Sequence, residues 1–68
     1  MSNDLKYKHS VLEWIMNFHG IHPEEIHEYY GSREKFENAC ALSRSASEDP
    51  YQMATSLAEE IYKKRLQA

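Results

Sequence analysis

Residues 11–18, Val-Leu-Glu-Trp-Ile-Met-Asn-Phe, are the most informative segment of this chain. On a helix its apolar side chains cover an arc of roughly 200°, which is interrupted only by Glu13 and Asn17. A helix on the surface of a globular domain usually carries an apolar stripe of about 100°. The pattern therefore predicts a helix that is covered from two sides, by the rest of the chain or by another molecule.

Residues that end and begin helices divide the remaining sequence into three further helices. Gly20 and Gly31 suit the left-handed conformation that ends a helix, and Pro23 and Pro50 suit the first helical position. The predicted helices run from Asn3 or Asp4 to about His19, over 23–30, over 33–45 and over roughly 50–66. We expect an all-α fold, a compact bundle of two longer and two shorter helices that forms one domain over residues 1–68.

The composition predicts a soluble, cytoplasmic protein. The chain has 68 residues and one cysteine, so no disulfide within the chain can hold the fold, as is usual in a reducing cytoplasm. No run approaches the ~18 apolar residues that a membrane span needs, and the first residues lack the apolar core of a signal peptide. We expect no association with membranes.

The net charge of −3 comes from one short segment of the chain. Residues 21–31 contain Glu24, Glu25 and Glu28 but no Lys or Arg, whereas acids and bases balance elsewhere. This candidate acidic patch is either a solvated helix face, the commoner case, or a docking site for a basic partner. A mildly acidic chain without a basic stripe is a poor candidate for binding nucleic acid.

The sequence contains no signature of an active site or of a metal site. His19, His22 and His27 lie three and then five residues apart across a helix break, which is not the spacing of zinc ligands. Cys40 stands between two alanines, where a cysteine is more often a small buried side chain than a nucleophile. We expect no enzyme activity, no cofactor, no metal and no small-molecule substrate.

Residues 23–43 leave a DNA-binding alternative open, because they read as a helix, a glycine turn and a second helix. Against this alternative, His27 occupies a position where a small residue usually lets the helices approach, and Ser32 one where an apolar residue is usual. The first helix of the pair is also purely acidic and would repel phosphates. We therefore expect a structural helical hairpin rather than a helix-turn-helix reader of DNA.

The two edges of the wide apolar arc are the candidate interaction surface. Trp14 and Phe18 lie at one edge, and Leu12 and Met16 lie at the other. Either the other helices of the chain bury both edges, or one edge meets a protein partner, with a second copy of this chain in a homodimer as the expected case. Because two short helices and one long one cannot easily cover both, we expect one edge to be accessible.

The first half of the chain resembles the small helical proteins encoded in early regions of temperate phages. The segment Lys-His-Ser-Val-Leu-Glu-Trp-Ile, residues 8–15, and the restart Gly-Ile-His-Pro-Glu-Glu-Ile, residues 20–26, carry the resemblance. It implies a non-catalytic accessory protein that alters phage or host regulation by binding other macromolecules in the host cytoplasm. It transfers no functional residue to this sequence.

Overall fold

The computed structural model describes residues 3–67, which form four α-helices and include no strand. The helices are α1 (Asn3–His19), α2 (Pro23–Tyr30), α3 (Arg33–Ser45) and α4 (Pro50–Gln67). The predicted all-α bundle is confirmed, and the predicted bounds agree to within a residue or two. The bundle measures 36 × 22 × 19 Å. To cross a bilayer, the chain would need a longer or more apolar helix than any within residues 3–67.

The helix ends are fixed by local chemistry that the sequence shows directly. Gly20 and Gly31 follow α1 and α2 with positive φ angles of 66° and 98°. Residues that carry a Cβ rarely adopt this backbone conformation. The hydroxyl of Ser32 accepts a hydrogen bond of 3.1 Å from the backbone N–H of Lys35, so Ser32 caps α3. The carboxylate of Asp49 likewise accepts a backbone N–H at the start of α4.

The first and last helices run in the same direction and pack against each other. The hydroxyl of Tyr7 donates a hydrogen bond of 2.8 Å to the backbone carbonyl of Glu48, just before α4 begins. Near the other end of both helices, the hydroxyl of Tyr62 donates to the backbone carbonyl of His19. The start of α1 thus lies beside the start of α4, and the end of α1 lies beside the end of α4, so the two helices are parallel.

The third helix packs on α1 in the opposite direction. Arg44, near the end of α3, forms an ion pair with Asp4 in the first turn of α1, with 2.5 Å between Nε and Oδ1. Earlier in α3, Glu37 pairs with Lys8 at 2.8 Å. The order of these contacts reverses between the two helices, so α3 is antiparallel to α1.

The core takes only a narrow stripe from the wide apolar arc of α1. Tyr7, Val11 and Ile15, which are four residues apart, are the buried side chains of this helix. The other buried residues are Ile21, Ile26, Phe36, Cys40, Met53, Ala54, Leu57, Ala58 and Ile61. α4 and α3 thus cover the middle of the arc, and its edges extend beyond the core.

Candidate interaction surface

Three aromatic rings from two helices form a cluster at one edge of the arc. Trp14 and Phe18 are one helical turn apart on α1, and their rings are stacked with centroids 4.6 Å apart. Tyr51, in the first turn of α4, meets Trp14 edge to face with centroids 4.9 Å apart. Both arrangements are favoured by the charge distribution of aromatic rings. We call these three residues the aromatic cluster.

The aromatic cluster is anchored on the core and open to solvent. Trp14 is half-buried and packs against the core, whereas Phe18 is 65% exposed and Tyr51 is 48% exposed. An isolated exposed apolar side chain is ordinary on a protein surface, but a contiguous group often marks a binding site. The structure therefore brings together the two residues that the sequence assigned to this edge and adds a third.

Tyr51 belongs to this surface but was not predicted from the sequence. Tyr51 lies immediately after the proline that begins α4, three residues before Ala54 and seven before Ala58, so its spacing places it at the edge of the apolar face of that helix. It reaches Trp14 only because α4 runs parallel to α1. A local pattern cannot contain this information, since it depends on the relative direction of two helices that are far apart in the chain.

Two shallow depressions adjoin the aromatic cluster. One is lined by Glu13, Trp14, Asn17 and Phe18. The other is lined by Glu48, Tyr51, Gln52, Thr55 and Ser56. Within the described residues, each depression has one charged lining residue, and in both it is a glutamate. The two depressions beside the aromatic cluster are therefore polar with negative charge.

The opposite edge of the arc is partly exposed as well. Leu12 is half-buried against the core, and Met16 is 41% exposed. Both edges thus have an accessible outer residue, whereas the sequence predicted one accessible edge. At the edge with Trp14 and Phe18, Tyr51 of α4 extends the two rings into a continuous aromatic surface.

The candidate acidic patch is partly neutralised by α4. Arg65 forms a bidentate ion pair with Glu25, and Lys64 lies over the ring of Tyr29 with its Nζ 5.4 Å from the centroid. The hydrogen bond from Arg65 holds the pKa of Glu25 below its usual range. Glu24 and Glu28 remain exposed. The negative excess seen along residues 21–31 therefore does not persist as a purely acidic surface.

The candidate metal-binding and nucleophilic side chains are dispersed. In residues 3–67 no group of three or more His, Cys, Asp or Glu side chains could hold a metal ion. His27 instead lies against the ring of Phe36, with centroids 5.8 Å apart. Cys40 is buried in the core, and this burial raises the pKa of its thiol to about 11. At neutral pH the thiol is protonated and therefore a poor nucleophile.

The helix–glycine–helix segment is formed by α2, Gly31 and α3. Ser32, which stands where a helix-turn-helix motif usually has an apolar residue, is exposed and caps α3. Glu37 and Arg44 of α3 pair with residues of α1, while Arg33 and Lys35 in its first turn are exposed. The surface of α3 therefore carries both signs of charge rather than a basic stripe.

Comparison of this chain with protein-family models, with curated proteins and with solved structures finds no match.

Proposed function

We propose that this chain is a non-catalytic interaction protein that contacts another protein through the aromatic cluster. The observation that carries the proposal is the exposed ring of Phe18, which is held in place by stacking on the half-buried Trp14. Aromatic residues are enriched at protein interfaces, and Trp and Tyr are frequent among residues that dominate binding energy. Rings that are already ordered lose little further conformational entropy on binding.

The proposal assigns no catalytic role to the chain. Its one cysteine is a buried, protonated thiol, as described above for Cys40. The depressions beside the aromatic cluster are open and shallow, unlike the deep apolar clefts in which substrates are usually held. Both observations support binding rather than chemistry.

A regulatory role in the cytoplasm of a phage host belongs to the same proposal. It rests on the resemblance of residues 8–15 and 20–26 to small proteins of temperate phage early regions. Such a role needs a stable binding surface and no active site, which agrees with the aromatic cluster as the functional feature. The partner is either a host or phage protein or a second copy of this chain.

The experiment compares the wild type with two matched variants. Phe18→Asp places a charge in the aromatic cluster, and Leu42→Asp places the same charge at a 73% exposed position of α3. Leu42→Asp is at an exposed site, where the free energy of unfolding usually changes by about 0.5 kcal/mol or less. Phe18→Asp also removes the stacking on Trp14, which contributes about 0.5–1.5 kcal/mol. Circular dichroism checks that both variants are folded.

Two measurements then test binding. Sedimentation over micromolar concentrations measures self-association, and affinity capture from the native host measures binding to other proteins. We expect Phe18→Asp to lose the dimer or the captured partner and Leu42→Asp to retain it. If both variants keep every association of the wild type, the aromatic cluster is not the interaction surface.

DNA binding by residues 23–43 is the second candidate function. It is favoured by the exposure of Arg33 and Lys35 in the first turn of α3, directly after the glycine turn. A gel shift on random duplex DNA at low salt tests it. Salt-dependent binding that is weakened by Arg33→Ala or Lys35→Ala would favour this candidate over the protein-interaction proposal.

A further inference from the structure

We infer that the aromatic cluster accepts a positively charged amphipathic segment of another protein, with apolar side chains on the rings and Lys or Arg beside them. This inference rests on the proposed function and adds the chemistry of the partner. It is based on the negative charge of the residues that line the depressions beside the aromatic cluster.

The charged groups that line the two depressions beside the aromatic cluster are carboxylates. Glu13 lines the depression beside Trp14 and Phe18, and Glu48 lines the one beside Tyr51. Neither carboxylate forms an ion pair with another residue in the described part of the chain. By contrast, Lys8, Arg44 and Arg65 each have an acidic partner elsewhere on the surface. The carboxylates beside the cluster are therefore available to a cation from outside.

Aromatic rings and carboxylates together favour cationic side chains. The guanidinium group of Arg stacks on aromatic faces and pairs with carboxylates, and a Lys ammonium is attracted to the same ring faces. The exposed rings of Phe18 and Tyr51 offer such faces beside Glu13 and Glu48. Across protein interfaces, complementary charge at the rim raises the association rate and disfavours partners of the wrong sign.

The same charges disfavour a second copy of this chain as the occupant. In a symmetric dimer the same surface contacts itself, so Glu13 and Glu48 of both copies would lie around one apolar contact. Four carboxylates would then approach one another without a basic residue from either lining. The phosphates of nucleic acid would meet the same repulsion. A basic segment of a different protein, by contrast, would be attracted by Glu13 and Glu48.

A selection from a random peptide library tests the inference without a known partner. Peptides are selected on the wild type, and those that also bind the Phe18→Ala variant, which removes the ring without adding a charge, are discarded. We expect the remaining peptides to combine apolar residues with an excess of Lys and Arg over Asp and Glu. Remaining peptides that are acidic or have no charge bias would overturn the inference.

Two carboxylate substitutions then test the role of charge at named positions. The chain has one tryptophan, Trp14, so its fluorescence reports directly on occupation of the aromatic cluster by a selected peptide. We expect Glu13→Gln and Glu48→Gln each to weaken binding about twofold to fivefold, as for an exposed ion pair. Glu24→Gln, which removes the same charge from an exposed position of α2, controls for net charge. Equal weakening by all three variants would contradict the inference.

The outcomes separate this inference from the proposed function. If the Phe18→Ala variant loses binding to acidic or neutral peptides, or loses a dimer, the aromatic cluster is an interaction surface and only the basic character of the partner is wrong. If the wild type neither dimerises nor selects any peptide that depends on Phe18, both proposals fail.

Discussion

The guanidinium group of Arg65 makes two contacts with the carboxylate of Glu25, 2.7 Å from Nε to Oε2 and 2.5 Å from Nη2 to Oε1. This ion pair joins the last turn of α4 to the first turn of α2, across 40 residues of sequence. Bidentate pairing of this kind fixes geometry better than a single contact does. It also neutralises part of the segment that accounts for the net negative charge of the chain.

This ion pair makes the stability of the protein depend on pH. Arg65 lowers the pKa of Glu25 in the folded state, so the pair stabilises the fold above the unfolded pKa of that carboxyl. The stabilisation is lost as the pH falls through the lower, folded pKa. We expect Glu25→Gln to melt below the wild type at about pH 7 and at the same temperature at about pH 2.

Glu24→Gln is the matched control, because Glu24 is exposed in the same first turn and its carboxylate has no ion pair with a described residue. We expect its melting temperature to lie closer to that of the wild type at about pH 7. Equal effects of the two substitutions at that pH would mean that the pair with Arg65 contributes nothing beyond the charge near the helix N-terminus.

Truncation of the α1–α4 core should be strongly destabilising. Ile15 is fully buried and Leu57 is 5% exposed, so Ile15→Ala and Leu57→Ala should each lower the free energy of unfolding by about 2–5 kcal/mol. A small domain has only ~5 kcal/mol in total, so either variant is expected to be partly unfolded. Urea unfolding measures the change, and Leu66→Ala at an 87% exposed position is the control. Melting of both core variants like the parent would contradict the packing described here.

Removal of the Tyr7 hydroxyl should cost less than a core truncation but more than a surface change. Tyr7→Phe deletes the hydrogen bond to the carbonyl of Glu48, and we expect a loss of about 0.5–1.5 kcal/mol in urea unfolding. Tyr51→Phe is the matched control, since the hydroxyl of Tyr51 forms no hydrogen bond with another of residues 3–67. A larger loss in Tyr51→Phe than in Tyr7→Phe would show that this hydrogen bond does not hold α1 to the start of α4.

The thiol of Cys40 should resist alkylation until the chain unfolds. Burial raises its pKa from 9.0 to about 11, which lowers the thiolate fraction about a hundredfold at a pH below both values. We therefore expect labelling by iodoacetamide at about pH 8 to be at least about a hundredfold slower in the native protein than in denaturant. A Cys40→Ala protein that carries Ser56→Cys on the exposed face of α4 should label rapidly in both states. Rapid native labelling of Cys40 would contradict its place in the core.

The helix bounds could be predicted because the residues that set them act over a few positions. Gly20 and Gly31 end helices through their own backbone conformation, and Ser32 and Asp49 bind backbone N–H groups two or three residues away. The acidic character of residues 21–31 could also be read from the sequence, but its partial neutralisation by Arg65 could not. That neutralisation requires α4 to end beside α2.

Local patterns of residues are sufficient to predict that this chain forms four helices and that the first carries more apolar surface than one stripe of core can bury. The packing of α4 along α1, by contrast, is what joins Trp14 and Phe18 to Tyr51 in the aromatic cluster, with Glu13 and Glu48 beside it. The physical reason is the range of the forces involved. Helix formation is governed by neighbours within about one turn, whereas the direction in which two helices pack reflects many weak contacts between distant residues.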